Sequence, residues 1–489
     1  MTLAIVIAYL AAVLVVGLAS QRFARGSGGE DFFVASRSIG AFVLLMTLFG
    51  THMTSFALLG ASGEAYRVGV GVYSLMASSS AILAPLLFLF VGTRVWQLGR
   101  KFGYVTQVQY VRDRWGADVP GLFLFVILVL LMIPYLLIGV MGGGLTLTQI
   151  TDGAVPGWVG SLMIATVVLS YVSFGGLRGT AWVNTFQTSL FMVLGGLTAV
   201  VIIRSLGGVG IAVERLQTEA PELLIRGDRV SEIRMLSYTL IPASVGMFPH
   251  IFMHWLSARS AQTFRAPVIF YPLCIAAVWI PSVLLGLFGN LDFPGLEGPA
   301  ANSVLVRMIA LHAPEALAGL LGAGVFAAIM SSLDSQSLSL GTMFAHDVVG
   351  HYRLGGDLGE ERRVRIGRIF VVLIIGVTFA LSLVTSRSIF GLAVWSFTGY
   401  SALLPVLLAG LFWKRSTAAG VLAAEVVVVV LWLYFFLDAG GRPDYSVGGT
   451  GAMPVVVLFA ASSLAVVLGS LMTRAPEADR LERFFGRQT

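Results

Sequence analysis

The sequence predicts an all-α polytopic membrane protein with about thirteen transmembrane helices. Of its 489 residues, 57% are hydrophobic and 11% are charged, and the mean hydropathy is +0.89. A soluble globular domain is far less apolar. A helix needs about 20 mostly apolar residues to cross a bilayer. Such runs occur at 3–19, 40–62, 70–93, 121–143, 157–174, 183–203, 236–258, 267–290, 316–346, 367–387, 389–412, 417–437 and 453–472.

The second observation is how the basic residues divide between alternate loops. If the N-terminus is outside, 22 of the 31 Lys and Arg side chains are cytoplasmic and nine are external. Basic residues accumulate on the cytoplasmic side of membrane proteins, which explains the net charge of +6 without a nucleic-acid partner. We expect a multi-pass protein of the cell (inner) membrane, in contact with the lipid bilayer, with Met1 outside and Thr489 in the cytoplasm.

The third observation is that two spans are interrupted near their midpoints. The second span has a break around Gly50 to Ser55, and the seventh has one around Gly246 to Pro249. Matching breaks five spans apart point to a five-plus-five inverted repeat with a binding site at the repeat interface. The alternative is that Gly and Pro occur here without functional consequence, as they often do in membrane helices.

Residues 322–347 form the span that is richest in small hydroxyl side chains. At about 100° per residue, its small residues share one narrow face, and Asp334 lies on the flank of that face. The small residues are Ala328, Ser331, Ser332, Ser335 and Ser339. Hard cations bind oxygen, and an acidic residue in a span costs roughly 3 kcal/mol to insert. The face therefore favours an ion site, with close helix packing as the alternative.

Four segments resemble the sodium:solute symporter family, whose members carry proline, sugars, sialic acid, pantothenate or monocarboxylates. The segments are THMTSFALLG in the second span, YVSFGGLRGTAWVNTFQ at the fifth-to-sixth connection, FPHIFMHWLSARS in the seventh span and AAIMSSLDSQ in the ninth. Their order and spacing are those of the family, and the resemblance extends over essentially the whole chain. The segment in the ninth span is the most specific.

The resemblance implies that a coupling Na⁺ is bound between the second and ninth spans. Gly50, Met53 and Ala328 are expected to supply backbone carbonyls, and Ser331 and Ser332 are expected to supply hydroxyls. Na⁺ is the cofactor that the resemblance implies.

The sequence departs from the family at two positions that often carry aspartate. They are occupied here by His52 in the second span and Asn184 after the tryptophan of the fifth-to-sixth connection. Asp334 could replace one of the missing charges, and these three residues are expected to surround the ion site. A second bound sodium, which depends on the missing acid in some members, is put in doubt.

The resemblance also implies a central solute pocket without a mid-span Lys or Arg. Its expected lining is Thr51, Thr54, Tyr73, Ser74, Tyr135, Phe248 and Trp395. The alternative role of these side chains is helix packing.

These observations predict a sodium-coupled secondary active symporter, not an enzyme, that imports a small polar solute such as a carboxylate or amino acid by alternating access. One alternative is proton coupling through His52 and Asp334, because intramembrane His and Asp mark proton paths. Another is a membrane sensor or enzyme, although HExxH and GxSxG motifs are absent from the sequence. We expect the protein to function as a monomer.

The chain divides into four predicted segments. They are an N-terminal transmembrane helix with a cytoplasmic connector (1–39), an inverted-repeat transporter core (40–413), two C-terminal transmembrane helices (414–472) and a cytoplasmic tail (473–489).

Overall fold

The computed structural model describes residues 2–19, 34–354, 356 and 359–486. Most of the predicted connector and both chain ends lie outside these described residues. The structure is 84% helical, and the described part contains no β-strand. The prediction of an all-α protein is confirmed.

Nineteen α-helices follow one another in the described ranges. They are α1 (Thr2–Ala19), α2 (Ala41–His52), α3 (Ala61–Val68), α4 (Ser78–Leu87), α5 (Thr93–Phe102), α6 (Gln107–Trp115), α7 (Asp118–Ile150), α8 (Gly157–Ser205), α9 (Val209–Glu219), α10 (Glu232–Tyr238), α11 (Pro249–Ser257), α12 (Arg265–Asp292), α13 (Val304–His312), α14 (Glu315–Met343), α15 (Glu360–Val384), α16 (Ile389–Phe412), α17 (Ala418–Asp438), α18 (Pro454–Leu471) and α19 (Ala478–Phe485).

Within the described ranges, nine helices are long and apolar enough to cross a membrane, and two bent pairs would raise this number to eleven. The apolar helices Thr2–Gly17 and Gly157–Val172 are shorter. The predicted total of thirteen requires both shorter helices to cross as well, and it stays a prediction. The fifth and sixth predicted spans are not separated by a loop. Instead α8 consists of two helical parts that meet at Gly176, whose non-helical φ of 55° and ψ of −167° suit glycine.

Both predicted breaks are confirmed. α2 ends at His52, and the chain resumes in a π-helical turn, Phe56–Gly60, that leads into α3 with a bend of 56°. In the seventh span, the segment from α10 through the 3₁₀ turn Ile241–Gly246 meets α11 with a bend of 52°. Pro249 begins α11, where its missing amide hydrogen is not needed by the helix.

The broken spans lie against the two most buried long apolar helices of the described ranges. In α14 and α16, 83% and 94% of the most apolar stretch is buried, whereas α15, α17 and α18 have 22%, 33% and 33% buried. α14 packs against α8, α7, α1 and α2. The serine-rich span is therefore central, and the last helices lie at the periphery.

Gly286 allows α12 to lie close to α3, and substituting it tests this packing. A Cβ atom there would lie 2.1 Å from the Ser62 carbonyl oxygen and 2.6 Å from its Cα. Because backbone cannot rotate away, we expect Gly286→Ala to destabilise the protein by about 1–3 kcal/mol. The measurement is the midpoint of thermal unfolding in detergent.

Gly376→Ala is the matched control. Gly376 lies inside α15 and a Cβ there would meet no atom within 4 Å. Alanine stabilises a helix by up to about 1 kcal/mol relative to glycine. The midpoint of thermal unfolding of Gly376→Ala should therefore stay unchanged or rise. An equal effect of both substitutions would contradict the close packing at Gly286.

Candidate functional site

The break in the second span leaves two carbonyls without their helical partners. The Thr54 amide donates to the His52 carbonyl at 3.2 Å, and the Ala57 amide donates to the Thr54 carbonyl at 2.9 Å. In a continuous α-helix these two amides would bond to the carbonyls of Gly50 and Met53. The break therefore frees the carbonyl oxygens of Gly50 and Met53 from helical hydrogen bonds. The family resemblance assigned both residues to the ion.

Ser331 connects this break to α14. Its hydroxyl lies 2.9 Å from the Gly50 carbonyl oxygen and 3.0 Å from that of Ala328, with one hydrogen to share between them. The Ser332 hydroxyl donates to a carbonyl of its own helix at 3.0 Å. The structure thus brings Gly50, Ala328 and Ser331 into one cluster of oxygens. Met53 and Ser332 are buried as well.

Asp334 lies one turn after Ser331 and faces α8. Its Oδ2 accepts a hydrogen bond from the Tyr171 hydroxyl at 3.2 Å, and its Oδ1 accepts one from the Ser335 amide at 2.5 Å. None of the ion pairs among the described residues includes this carboxyl. A buried carboxylate without a basic partner is costly, so its surroundings favour a cation or a proton.

Asn184 shares this polar layer, because its side-chain amide donates to the Ser335 hydroxyl at 2.7 Å. The Asn184 Oδ1, both amide atoms of Gln187 and the Tyr9 hydroxyl are buried without a hydrogen bond. Sequence reasoning did not single out Tyr9, Tyr171 or Gln187. An amide inside an apolar span is a signal that could have identified Gln187.

An aromatic cluster, which we call the ring cluster, surrounds Phe248 at the break of the seventh span. Its members have ring centroids 4.9–6.1 Å from that of Phe248. They are His52, Tyr135, His250, Phe397 and Tyr400. The cluster therefore joins the second, fourth, seventh and eleventh predicted spans, and it contains three of the residues that the sequence singled out.

Several buried polar atoms of the ring cluster, of Thr51 (the chain neighbour of His52) and of Gln336 have no hydrogen-bond partner. They are Thr51 Oγ1, His52 Nε2, the Tyr135 hydroxyl, both ring nitrogens of His250 and both amide atoms of Gln336. The Gln336 amide lies beside the Tyr135 hydroxyl, but the two do not meet hydrogen-bond geometry. Because buried polar groups are normally paired, such a concentration indicates a place where a polar ligand binds. Sequence reasoning missed Gln336 and His250 as pocket residues, although both lie in the quoted segments.

Other predicted pocket residues have partners elsewhere. The Tyr73 hydroxyl donates to a backbone carbonyl of α12 at 2.7 Å, and the Ser74 hydroxyl donates within its own turn at 2.6 Å. Trp395 donates to a carbonyl in the loop after α17 at 3.1 Å. The Thr54 hydroxyl accepts from the Phe56 amide at 3.2 Å and so supports the turn at the break. The structure does not place Tyr73 or Trp395 among the rings around Phe248.

His52 and Asp334, the two groups of the proton-relay alternative, have different partners. The His52 Nδ1 pairs with the Tyr271 hydroxyl, and the two rings stack. Asp334 bonds to Tyr171 and to the Ser335 amide. No hydrogen bond among the described residues joins His52 to Asp334.

Known proteins with similar sequences are membrane symporters. The sodium/pantothenate symporter of Escherichia coli (strain K12) is 26% identical over 96% of this chain and 97% of its own length. The sodium/proline symporter of the same organism is 25% identical over 97% and 94%. The sodium/glucose cotransporter of Vibrio parahaemolyticus is 24% identical over 87% and 83%.

Two solved structures share the fold. A Na⁺-coupled sialic acid symporter aligns with a TM-score of 0.78 at 17% identity, over 97% of this chain and 98% of that one. A nucleobase-cation-symport-1 family transporter aligns with a TM-score of 0.62 at 12% identity, over 92% and 97%. They confirm the predicted fold class. The family model described as "Sodium:solute symporter family" matches residues 32–427. The chain therefore belongs to the sodium:solute symporter family, whose members are transporters and not enzymes.

Proposed function

We propose that the protein imports a small polar organic solute together with Na⁺ by alternating access, as a monomer in the cell membrane. The observation that carries the proposal is the Ser331 hydroxyl, which lies 2.9 Å from the freed carbonyl of Gly50 and 3.0 Å from that of Ala328. Oxygens from a broken helix and its neighbour are a known way of holding a coupling ion near the bilayer midplane.

The chemistry of these ligands supports sodium as the ion. Carbonyl and hydroxyl oxygens suit a hard cation, and the proposed set is Gly50, Met53, Ala328, Ser331 and Ser332. Asp334 adds a negative charge one turn away, which would lower the cost of burying a monovalent cation. The family and the sodium symporters among its relatives support the same ion.

Proton coupling remains the alternative mechanism, and Asp334 is the group that favours it. A buried carboxyl without a basic partner can hold a proton as well as attract a cation. The partners of His52 and Asp334 differ, so a proton path through both would need intermediate groups. Uptake that requires Na⁺ at constant pH on both sides would contradict proton coupling.

The proposed topology and segments place N-terminal residue Met1 outside and the tail inside. In support, α19 lies against loops that were assigned to the cytoplasm: Lys101 donates to the Arg483 carbonyl at 2.7 Å, and Arg483 pairs with Asp113 at 2.7 Å. Arg229 lies between the sixth and seventh predicted spans, on the side that this topology places outside, and it donates to the Arg67 carbonyl, which the same topology also places outside, at 3.3 Å.

Removing either serine hydroxyl should weaken sodium binding more than solute binding. We expect Ser331→Ala and Ser332→Ala to raise the half-saturating Na⁺ concentration of uptake about ten- to hundredfold, because each unsatisfied buried partner costs about 1–3 kcal/mol. Solute affinity at saturating Na⁺ should change much less, because the two sites are coupled and the ion can be forced in. The measurement is uptake into proteoliposomes, titrated with Na⁺ at fixed solute.

Ser337→Ala is the control for this titration. Ser337 lies on the same helix, is buried and donates to a carbonyl of its own helix at 2.6 Å. Its substitution should leave the sodium dependence unchanged. Wild-type half-saturation in both the Ser331 and Ser332 variants would move the ion site elsewhere and leave the serine face a packing role.

Asp334 is proposed to compensate for the missing acid at Asn184, which contacts the same Ser335. Asp334→Asn should then weaken Na⁺ activation by roughly tenfold or more, as expected for losing a charged partner, while Asn184→Asp should be tolerated. The same titration measures both. An unchanged sodium dependence in Asp334→Asn would assign that residue to packing or gating.

A reporter fused after Arg487 tests the proposed orientation. We expect a cytoplasmic reporter at this position to be active, because the distribution of basic residues places the C-terminus in the cytoplasm. Arg487 itself lies outside the described residues. Activity of a periplasmic reporter at this position would overturn the orientation.

A further inference from the structure

We propose that the solute bound at the ring cluster is an organic monocarboxylate without an ammonium group, and that His52, His250, Tyr135 and Gln336 bind its carboxylate. The inference rests on the symport function proposed above and narrows its solute. It is carried by the kinds of hydrogen-bonding atoms left unpaired at the ring cluster and by the absence of acids among the residues that form it.

The unpaired atoms provide more donors than a carboxylate needs. Tyr135 and Thr51 each have a hydroxyl hydrogen, Gln336 has an amide group, and neutral His250 always has one N–H. When the Tyr271 hydroxyl donates to His52 Nδ1, the ring proton of His52 lies on Nε2, which is unpaired. A carboxylate is an acceptor with about four lone-pair positions. The four proposed residues alone, His52, His250, Tyr135 and Gln336, hold enough N–H and O–H hydrogens for these positions.

Acidic side chains lie elsewhere in the described structure. The buried ones are Glu64, Asp334, Asp347 and Glu425. Glu64 pairs with Arg67 at 2.8 Å, and Asp347 accepts from the Thr106 hydroxyl at 2.9 Å. Asp334 precedes Gln336 by two residues, which places it about 200° away around α14. Glu425 lies on α17, a helix that contributes no ring to the cluster. A buried ammonium group would have no carboxylate to pair with, which is strongly unfavourable.

The proposed sodium site adds to this charge argument. It lies at Gly50 and Ser331, next to Thr51 and His52, and its carbonyl and hydroxyl ligands are neutral, whereas the Asp334 carboxyl lies one turn away and faces Tyr171 of α8. Na⁺ there attracts an anion in the pocket and repels an ammonium group. A carboxylate would let ion and solute bind cooperatively, because each would lower the cost of burying the other.

The aromatic rings of the cluster are suited to contact with an apolar body. The ring centroids of Phe397 and Tyr400 lie 5.3 and 4.9 Å from that of Phe248, and Phe56 extends the surface with its ring centroid 5.5 Å from that of Phe397. A sugar would leave hydroxyls facing these rings without partners. An alkyl or aromatic carboxylate places its polar end at the donors and its apolar end on the rings.

The test uses two sets of ligands that differ only in the head group. The first set is butyrate, butyramide and 2-aminobutyrate, and the second is 3-phenylpropionate, 3-phenylpropionamide and phenylalanine. Binding to the purified full-length protein is measured as ligand-induced stabilisation against heat, with and without Na⁺. We expect at least one acid to bind in a Na⁺-dependent manner, and its amide and amino acid to bind at least about tenfold more weakly.

Variants of His250 locate the head group. His250→Phe keeps a ring at the position where the imidazole stacks on Phe248 with centroids 5.2 Å apart. It should weaken binding of the acid about ten- to hundredfold. His250→Gln restores an N–H donor and should recover part of the loss. His312→Gln removes an imidazole that pairs with Asp292, outside the cluster, and should have no effect.

Stabilisation by Na⁺ alone separates this inference from the proposed function. If Na⁺ stabilises the protein but neither acid does, or if an amide or amino acid binds as tightly as its acid, the carboxylate assignment is overturned. Unchanged acid binding in His250→Phe overturns it as well. Acid binding that persists without any response to Na⁺ would support the assignment and overturn sodium coupling. No response to either would overturn both.

Discussion

The site depends on one constraint: the bilayer core contains no water to pair with a backbone group that its helix has released. A transmembrane helix can therefore break only where other atoms replace the lost hydrogen bonds. In the second span, the Ser331 hydroxyl reaches the Gly50 carbonyl at 2.9 Å. Gly50 also lies so close to α8 that a Cβ atom would be 1.9 Å from Thr188 Oγ1. The freed Gly50 carbonyl thus needs the Ser331 hydroxyl as its partner, and the close packing against α8 needs glycine at position 50.

The two breaks contribute different chemistry. The second span supplies backbone oxygens, whereas the seventh places Phe248 and His250 at the start of a new helix among aromatic rings. α14 contacts both regions: the Ser331 hydroxyl lies against the freed carbonyl of the second span, and the Ser335 hydroxyl lies 3.1 Å from the His254 Nε2 of the seventh. A shift of α14 relative to α2 would therefore change the proposed ion site and pocket together, which is what coupled transport requires.

Sequence reasoning succeeded where the signal is local. The breaks follow from Gly and Pro inside apolar runs, and the serine face follows from helical periodicity. It could not foresee the partners of a residue that depend on which helix lies opposite. Tyr73 and Trp395 sit in the expected spans, but their polar atoms bond to backbone carbonyls away from the ring cluster. Gln336 was overlooked because its importance comes from having no partner, and one sequence cannot show that.

The membrane-embedded helical architecture, the family resemblance and the two interrupted spans can be predicted from the amino-acid sequence, because hydrophobic length and helix-breaking residues act within a single segment. The tertiary structure decided which polar groups meet. Only packing of α2 against α14 brings Gly50 to Ser331, and only the convergence of four spans surrounds Phe248 with rings and unpaired donors. These contacts join residues up to 281 positions apart, and no local pattern encodes such distances.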